Sequence, residues 1–390
     1  MNRKPIAIIG GVIANKYLNG GAVWTRLNWI LGIRRLGFDV YFLEQIEREN
    51  CLDDRGEKTA FESSSNLAYF DQVTRDFGLA GSAALILEEG SKTSGMTRAE
   101  LSDLARDADL LINITGHLRL PEFMDSQACK VYVDLDPGFT QFWYGSGLLG
   151  ANFLAHDHYF TIGESIGTPR CSIPTRDISW RPIRQPVVLD QWPVSRQGNP
   201  MHFTTVANWR DAYGTLEQDG KLLGHKVHEF RRFAGFPQCV AQSCEMALAI
   251  HDEDTADLEL LRGHGWIISD PRQVAPDPAA FREYVQQSGA EFSVAKGIYV
   301  TTCSGWFSDR TVRYLATGKP ALVQDTGFSH TYPVGEGLLT FTNMEDAVVG
   351  AERIADDYAN HCLAARQLAE RYFDSDAVLG GLVDRIGIHG

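Results

Sequence analysis

Short runs of β-branched and aliphatic residues recur along this chain, and a helix-forming stretch separates each run from the next. Pro5 to Ile9, Val40 to Leu43, Ala83 to Leu87, Asp109 to Ile114 and Lys130 to Asp134 read as strands. Helices are expected over residues 22–36, 64–77, 98–106 and 121–126, with Thr97 as an N-cap and Gly37 and Gly78 as stops. From Phe203 to Ala207 onward the alternation starts again. Strands that alternate with helices pair in parallel, because each crossover helix returns the chain to the same edge of the sheet, and such sheets are covered on both faces. Between the two series, four prolines from Pro182 to Pro200 stiffen a linker. The fold class is therefore α/β, with two Rossmann-like domains at residues 1–190 and 201–373.

A chain of 390 residues has ample length for two cores, and 44% hydrophobic with 22% charged residues is ordinary for a globular protein. A net charge of −14 argues against nucleic acid or an anionic membrane as the main partner. Seven scattered cysteines, odd in number and without a CxxC pair, suit a reducing cytoplasm. No run approaches the ~18 apolar residues of a membrane helix, and the MNRKPIAIIGG start is too short for a signal peptide.

Open α/β sheets collect their chemistry at the carboxyl ends of the strands, so those ends supply the candidates. The first strand runs into Gly10-Gly11, and the loop closes on Gly20-Gly21 before a helix. The pattern is not G-x-G-x-x-G, so Glu44 at the end of the second strand is weak grounds for a nicotinamide or flavin site. Gly11, Gly20 and Gly21 fit an acceptor-side loop better, unless they serve only the turn. His117 follows Thr115-Gly116 at another strand end and is a candidate general base, since imidazole titrates near neutrality. Asp134 and Asp136 precede Pro137-Gly138, where turn chemistry competes with a catalytic role for Asp136. His156 and His158, two apart, would share one face of a strand; without further ligands at supporting spacing a zinc site is disfavoured, and His156 is either an acceptor contact or a plain edge-strand histidine.

Late in the chain, Gly297 to Gly327 reads GIYVTTCSGWFSDRTVRYLATGKPALVQDTG. Its opening β-branched residues suggest a strand. A short helix follows from Ser308, its N-cap, with Asp309 in the positive first turn and Gly318 and Pro320 as its stop. Ala321-Leu322-Val323 reads as a buried strand ending in the loop Gln324-Asp325-Thr326-Gly327.

This stretch resembles the nucleotide-sugar half of glycosyltransferases with the GT-B architecture, through Ala316-Thr317-Gly318-Lys319-Pro320, the apolar strand and Asp325-Thr326-Gly327. Gly335-Glu336-Gly337-Leu338-Leu339 is similar to the family's next strand. Many members carry Glu where this chain has Arg313, to hold the donor ribose. The resemblance implies sugar transfer from a nucleoside diphosphate sugar to a small-molecule or glycan acceptor, with no permanently bound cofactor and no metal. It implies that Arg310, Arg210 and Lys221 meet the diphosphate, with Asn208 and Trp209 beside them and Ser308 and Asp309 at the donor helix. Asp325, Thr326 and Gly327 would hold the sugar, and His117 or Asp136 would be the base of an inverting reaction. The last helix, over 374–390, is expected to pack back on the first half. A non-hydrolysing sugar-nucleotide epimerase and a non-enzymatic two-domain binding protein share this architecture and stand as alternatives.

Overall fold

The computed structural model describes residues 3–210, 216–218, 221–223 and 226–388. In the first half, β1 (Ile6–Gly10), β2 (Asp39–Ile46), β3 (Ala83–Leu87), β4 (Lys92–Ser94), β5 (Leu110–Ile114), β6 (Cys129–Asp134), β7 (His158–Thr161) and β8 (Trp180–Pro182) form one sheet. The order is β4-β3-β2-β1-β5-β6-β7-β8, and only β4 runs antiparallel to its neighbour. Alternate residues serve opposite layers: Ala7 and Ile9 join one apolar cluster and Ile8 the other. The first crossover helix, Gly20–Arg35, starts where the Asn19 side chain accepts from Ala22 N at 3.0 Å.

The second half contributes β9 (His202–Asn208), β10 (Leu216–Gln218), β11 (Lys221–Leu223), β12 (Ser243–Ala249), β13 (Ile267–Ser269), β14 (Ala290–Ser293), β15 (Ala321–Gln324) and β16 (Leu338–Phe341). Six of them make an all-parallel sheet in the order β13-β12-β9-β14-β15-β16, while β10 and β11 pair antiparallel on their own. Stacked rings fill one layer, with Phe292 lying 4.1 Å from Phe236 and 5.1 Å from Phe341 between centroids.

Two sequence expectations change here. The β-branched run over 297–303 predicts a strand, yet Gly297–Thr301 is a short helix and the strand before it stops at Ser293. Ile298 and Tyr299 gain their burial against Phe139 and Ala295, which overrides their β propensity. Lys221 is expected at the start of a basic helix. It belongs instead to β11, and the helix begins at Lys226. The side chain of Lys221 and most of the loop expected over 213–220 lie outside the described residues.

The chain passes between the halves twice, and the passages lie side by side: Val187 N donates to Phe373 O at 2.8 Å and Ser375 N to Val187 O at 2.9 Å. The helix Ser375–Ile386 then packs on the helix Gly20–Arg35 of the first half. A Cβ on Gly32 would meet Leu379 Cδ1 at 2.4 Å, so the two helices approach as closely as backbone allows. An apolar cluster is continuous across the boundary, from Trp24 and Ile30 through Trp192 to Phe281, Val312, Leu315 and Phe373.

Candidate functional site

In each sheet the strand order reverses once, at β1/β5 in the first and β9/β14 in the second. The carboxyl ends at these switch points are where open α/β sheets form ligand crevices. The contacts between the halves show that the two crevices face each other. Asp136, just past β6, accepts from Lys296 Nζ and from the Tyr299 hydroxyl, each at 3.2 Å, and both donors belong to the second half. Lys296 also lies 5.0 Å from the Phe139 ring centroid, a cation–π contact.

Around that contact the first half gathers cations. Lys16, exposed, sits in the loop between the two glycine pairs, and Arg26 lies on the helix Gly20–Arg35. Desolvation first, then the Arg26 guanidinium, holds Lys16 below the ordinary lysine pKa, with Lys296 adding to the effect and Asp136 and Glu44 opposing it. His117 is half-buried beside them. Burial first, then Arg26, Lys16 and Arg119, pushes its pKa down to about 3, so the imidazole is neutral at ordinary pH.

Glu44 is what holds this loop in place. Its fully buried carboxylate accepts from Ile13 N at 2.6 Å, Ala14 N at 2.7 Å, Asn15 N at 2.8 Å and Asn15 Nδ2 at 2.9 Å. Burial raises its pKa to about 7 in spite of those donors. The acidic end of β2 therefore organises the loop that carries Lys16. Asp134 organises its own turn in a comparable way. Thr140, Gln141 and Thr161 donate to it at 2.7, 2.9 and 2.8 Å, and it accepts from Asp136 N at 3.0 Å. These bonds fix the turn on which Asp136 stands.

Several sequence candidates fall elsewhere. Gly11 leaves room for Arg26, whose Cγ would lie 3.1 Å from an added Cβ. Gly20 and Gly21 sit at the seam between halves: an added Cβ would meet Asp277 O at 2.0 Å and the Phe281 ring at 2.8 Å. His156 is buried in the first half, its Nδ1 3.0 Å from Phe153 O and its Nε2 3.1 Å from Asn113 Nδ2. Trp209 is fully buried, with its indole N–H donating to Asp257 at 2.7 Å. Arg210 is clamped to Asp254 at 2.7 Å; of its neighbours at the end of β9, only Asn208 is exposed.

Arg310 is likewise engaged. Its Nε meets Glu291 at 2.5 Å, Nη1 donates to Val206 O at 2.7 Å and Nη2 to Ser293 at 2.6 Å. That ion pair pins the helix Asp309–Ala316 to the sheet, and Arg310's charge is matched inside the protein. Ser308 caps the same helix, accepting from Arg310 N at 3.3 Å. Asp309 does not face open solvent at the helix start. It pairs with Arg313 at 2.7 Å and accepts from Thr25 Oγ1 of the first half at 2.5 Å. In the loop after β15, Asp325 turns the chain by accepting from Gly327 N and Ser329 Oγ at 2.8 and 2.5 Å, Thr326 Oγ1 donates to Trp306 O at 2.6 Å, and Gly327 takes a left-handed φ of +96°.

Sequence reading missed Lys16, Arg26, Lys296 and Tyr299. A signal was present for two of them: Lys16 lies between glycine pairs after an apolar strand, and Lys296 directly precedes Gly297 at a strand end. Among the described residues no three His, Cys, Asp or Glu side chains converge as a metal site.

Two parallel α/β sheets whose switch points face each other, bridged by a terminal helix, define the GT-B fold. No protein-family profile and no curated protein matches the chain. Solved structures do. An α-glucosyltransferase in complex with UDP superposes with a TM-score of 0.58 at 11% identity, over 99% of this chain and 100% of that one. Sucrose-phosphate synthase from Thermosynechococcus elongatus gives 0.52 at 11% identity, over 99% of both chains. HepE from Anabaena in complex with UDP-glucose gives 0.57 at 11% identity, over 98% of this chain and 99% of that one.

Proposed function

We propose that the protein is a glycosyltransferase that moves a sugar from a nucleoside diphosphate sugar to an acceptor held against the first half. The observation that carries this reading is the Asp136–Lys296–Tyr299 contact across the facing crevices, with cations beside it. Similar folds solved with UDP or UDP-glucose support the donor class. In the reaction, the bond from the anomeric carbon to the diphosphate oxygen breaks and its electron pair leaves with the diphosphate. The acceptor oxygen bonds the same carbon and gives up its proton. Lys296, aided by Arg26, stabilises the departing charge. Asp136 is the proton acceptor, because burial first and then the neighbouring cations drain the basicity of His117, which orients the acceptor instead. These side-chain cations take the role that a divalent ion has elsewhere, so the reaction is read as metal-independent. The net charge of −14 favours a small-molecule or glycan acceptor over nucleic acid, and seven cysteines without a disulfide favour the cytoplasm.

Calorimetric titration with UDP, GDP, dTDP and ADP tests the donor class, and at least one must bind. Asp136→Asn should lower sugar-nucleotide turnover by roughly 100-fold or more while nucleotide affinity stays within about twofold. Turnover should survive EDTA. Heat from none of the four nucleotides would sink the reading.

A further inference from the structure

A second polar constellation lies at the opposite edge of the second sheet. His202 opens β9 and Ser243 opens β12, and the two residues are partners in the parallel register of those strands. Side chains two apart on a strand share a face, which brings Glu245 beside them. Ser243 Oγ lies 2.8 Å from His202 Nδ1, and His202 Nε2 lies 3.1 Å from Glu245 Oε2. The Ser269 and Tyr284 hydroxyls donate to the other oxygen, Glu245 Oε1, at 2.8 and 3.2 Å. These residues sit at the amino end of β9, roughly 20 Å along the strand from the crevice at its carboxyl end.

The order of the contacts fixes the proton. A carboxylate only accepts, so the Nε2 that faces Glu245 carries the hydrogen. The lone pair of the neutral imidazole is then on Nδ1, directed at Ser243 Oγ. The His202 hydrogen bond holds the Glu245 carboxyl below its usual range against the opposing effect of burial, and the two hydroxyls keep it in place. A hydroxyl, a base within hydrogen-bond reach and a third group that orients the base are the parts of an activated nucleophile. The hydroxyl is also accessible: Ser243 is exposed and lines an open pocket of about 460 Å³ with Pro237, Val240, Arg262 and His264. Ser243 Oγ lies 3.2 Å from Met201 O as well, which gives its proton a resting acceptor.

We propose that Ser243, His202 and Glu245 form a second catalytic site, an esterase for short acyl esters that enter this pocket. Ser243 Oγ bonds the acyl carbon, and its proton passes to His202 Nδ1. The ester C–O bond breaks, and the alcohol leaves with that proton. Water then gives a proton to the same nitrogen and bonds the acyl carbon; the acid is released and the proton returns to Ser243. Arg262, exposed on the same pocket wall, meets the oxyanion that develops on the acyl oxygen. Glu245 touches no substrate and is a positioning residue. The site is independent of the glycosyltransferase reading.

The test uses the full chain in two assays. Wild type is treated with a fluorophosphonate and mapped by peptide mass spectrometry, and the expected adduct is on Ser243. Hydrolysis of p-nitrophenyl acetate by wild type should exceed that by Ser243→Ala and by His202→Gln roughly 100-fold or more. Glu245→Gln turns an amide N–H toward Nε2 and reverses the tautomer, so kcat should fall about tenfold or more while KM stays within about twofold. Arg262→Met should lower kcat about tenfold or more. Melting temperatures check that the variants fold, and the wild-type adduct needs no variant. An adduct elsewhere or none at all overturns the proposal. So does equal turnover by wild type and Ser243→Ala, or an unchanged kcat in Glu245→Gln or Arg262→Met.

Discussion

At the scale of single residues, the cleft is governed by who neutralises whom. Arg310 and Arg210 look like donor cations in the sequence, but each has its carboxylate, Glu291 and Asp254. No linear pattern reveals that pairing, because Arg310 and Glu291 lie 19 positions apart and Arg210 and Asp254 lie 44 apart. Asp136 was legible, since strand ends in α/β sheets are readable from apolar runs. The place of His117 at a strand end was legible but not its chemistry, which depends first on its burial and then on Arg26, Lys16 and Arg119 around it. Its folded-state pKa is depressed to about 3, so the folded chain binds fewer protons than the unfolded one below the ordinary histidine value. The stability owed to this group is thus present above about pH 6.5 and declines as pH falls toward 3. His117→Gln should gain about 1–2 kcal/mol relative to wild type between pH 7 and pH 5 by urea denaturation. A constant difference across that range would show that the imidazole is not held neutral.

At the scale of elements, the helix Asp309–Ala316 shows how one buried arginine ties a segment of the second half to the first. Its start was legible in Ser308, as was its end in Gly318-Lys319-Pro320. What Arg313 does was not. The side chain is buried, pairs with Asp309 one turn earlier, and donates to Gly21 O and Thr25 Oγ1 of the first half, each at 2.9 Å. It also lies over the rings of Phe281 and Trp192. The helix Asp309–Ala316 is therefore bolted to the first crossover helix by an ion pair whose two members, Arg313 and Asp309, hydrogen-bond Gly21 O and Thr25 Oγ1. Removing one partner of such a pair leaves the other uncompensated, so Arg313→Met should cost about 3 kcal/mol or more. Asp309→Asn added to Arg313→Met should recover much of that loss. If the double variant is as unstable as the sum of the two single ones, the pair is not coupled and the bolt is no bolt. The neighbouring helix Gly297–Thr301 carries β-branched residues whose propensity points to a strand, and burial against Phe139 decided the outcome instead.

At the scale of the whole molecule, the alternation of strands and helices revealed both sheets, but not how tightly they are joined. The proline-rich linker suggests a hinge. Against that stand the apolar cluster shared by the halves, the Arg313 contacts and the Asp136–Lys296 bridge, all of which span the cleft. Domains move freely by default only where their interface is small and polar. Small-angle scattering should therefore show an unchanged radius of gyration when UDP is added to wild type, and an increase in Arg313→Ala. A wild-type contraction on adding UDP would mean that the halves swing after all. The returning helix Ser375–Ile386 has a further consequence, one that concerns time. Arg35 on the first crossover helix binds Asp376 at 2.8 Å, and those residues are 341 positions apart in the chain. A ribosome adding ~5–20 residues per second makes the first long before the second, so the face around Gly32 waits roughly 20–70 seconds for its cover. The first half is born incomplete, and a nascent chain stalled before Ser375 should be the species that chaperones hold.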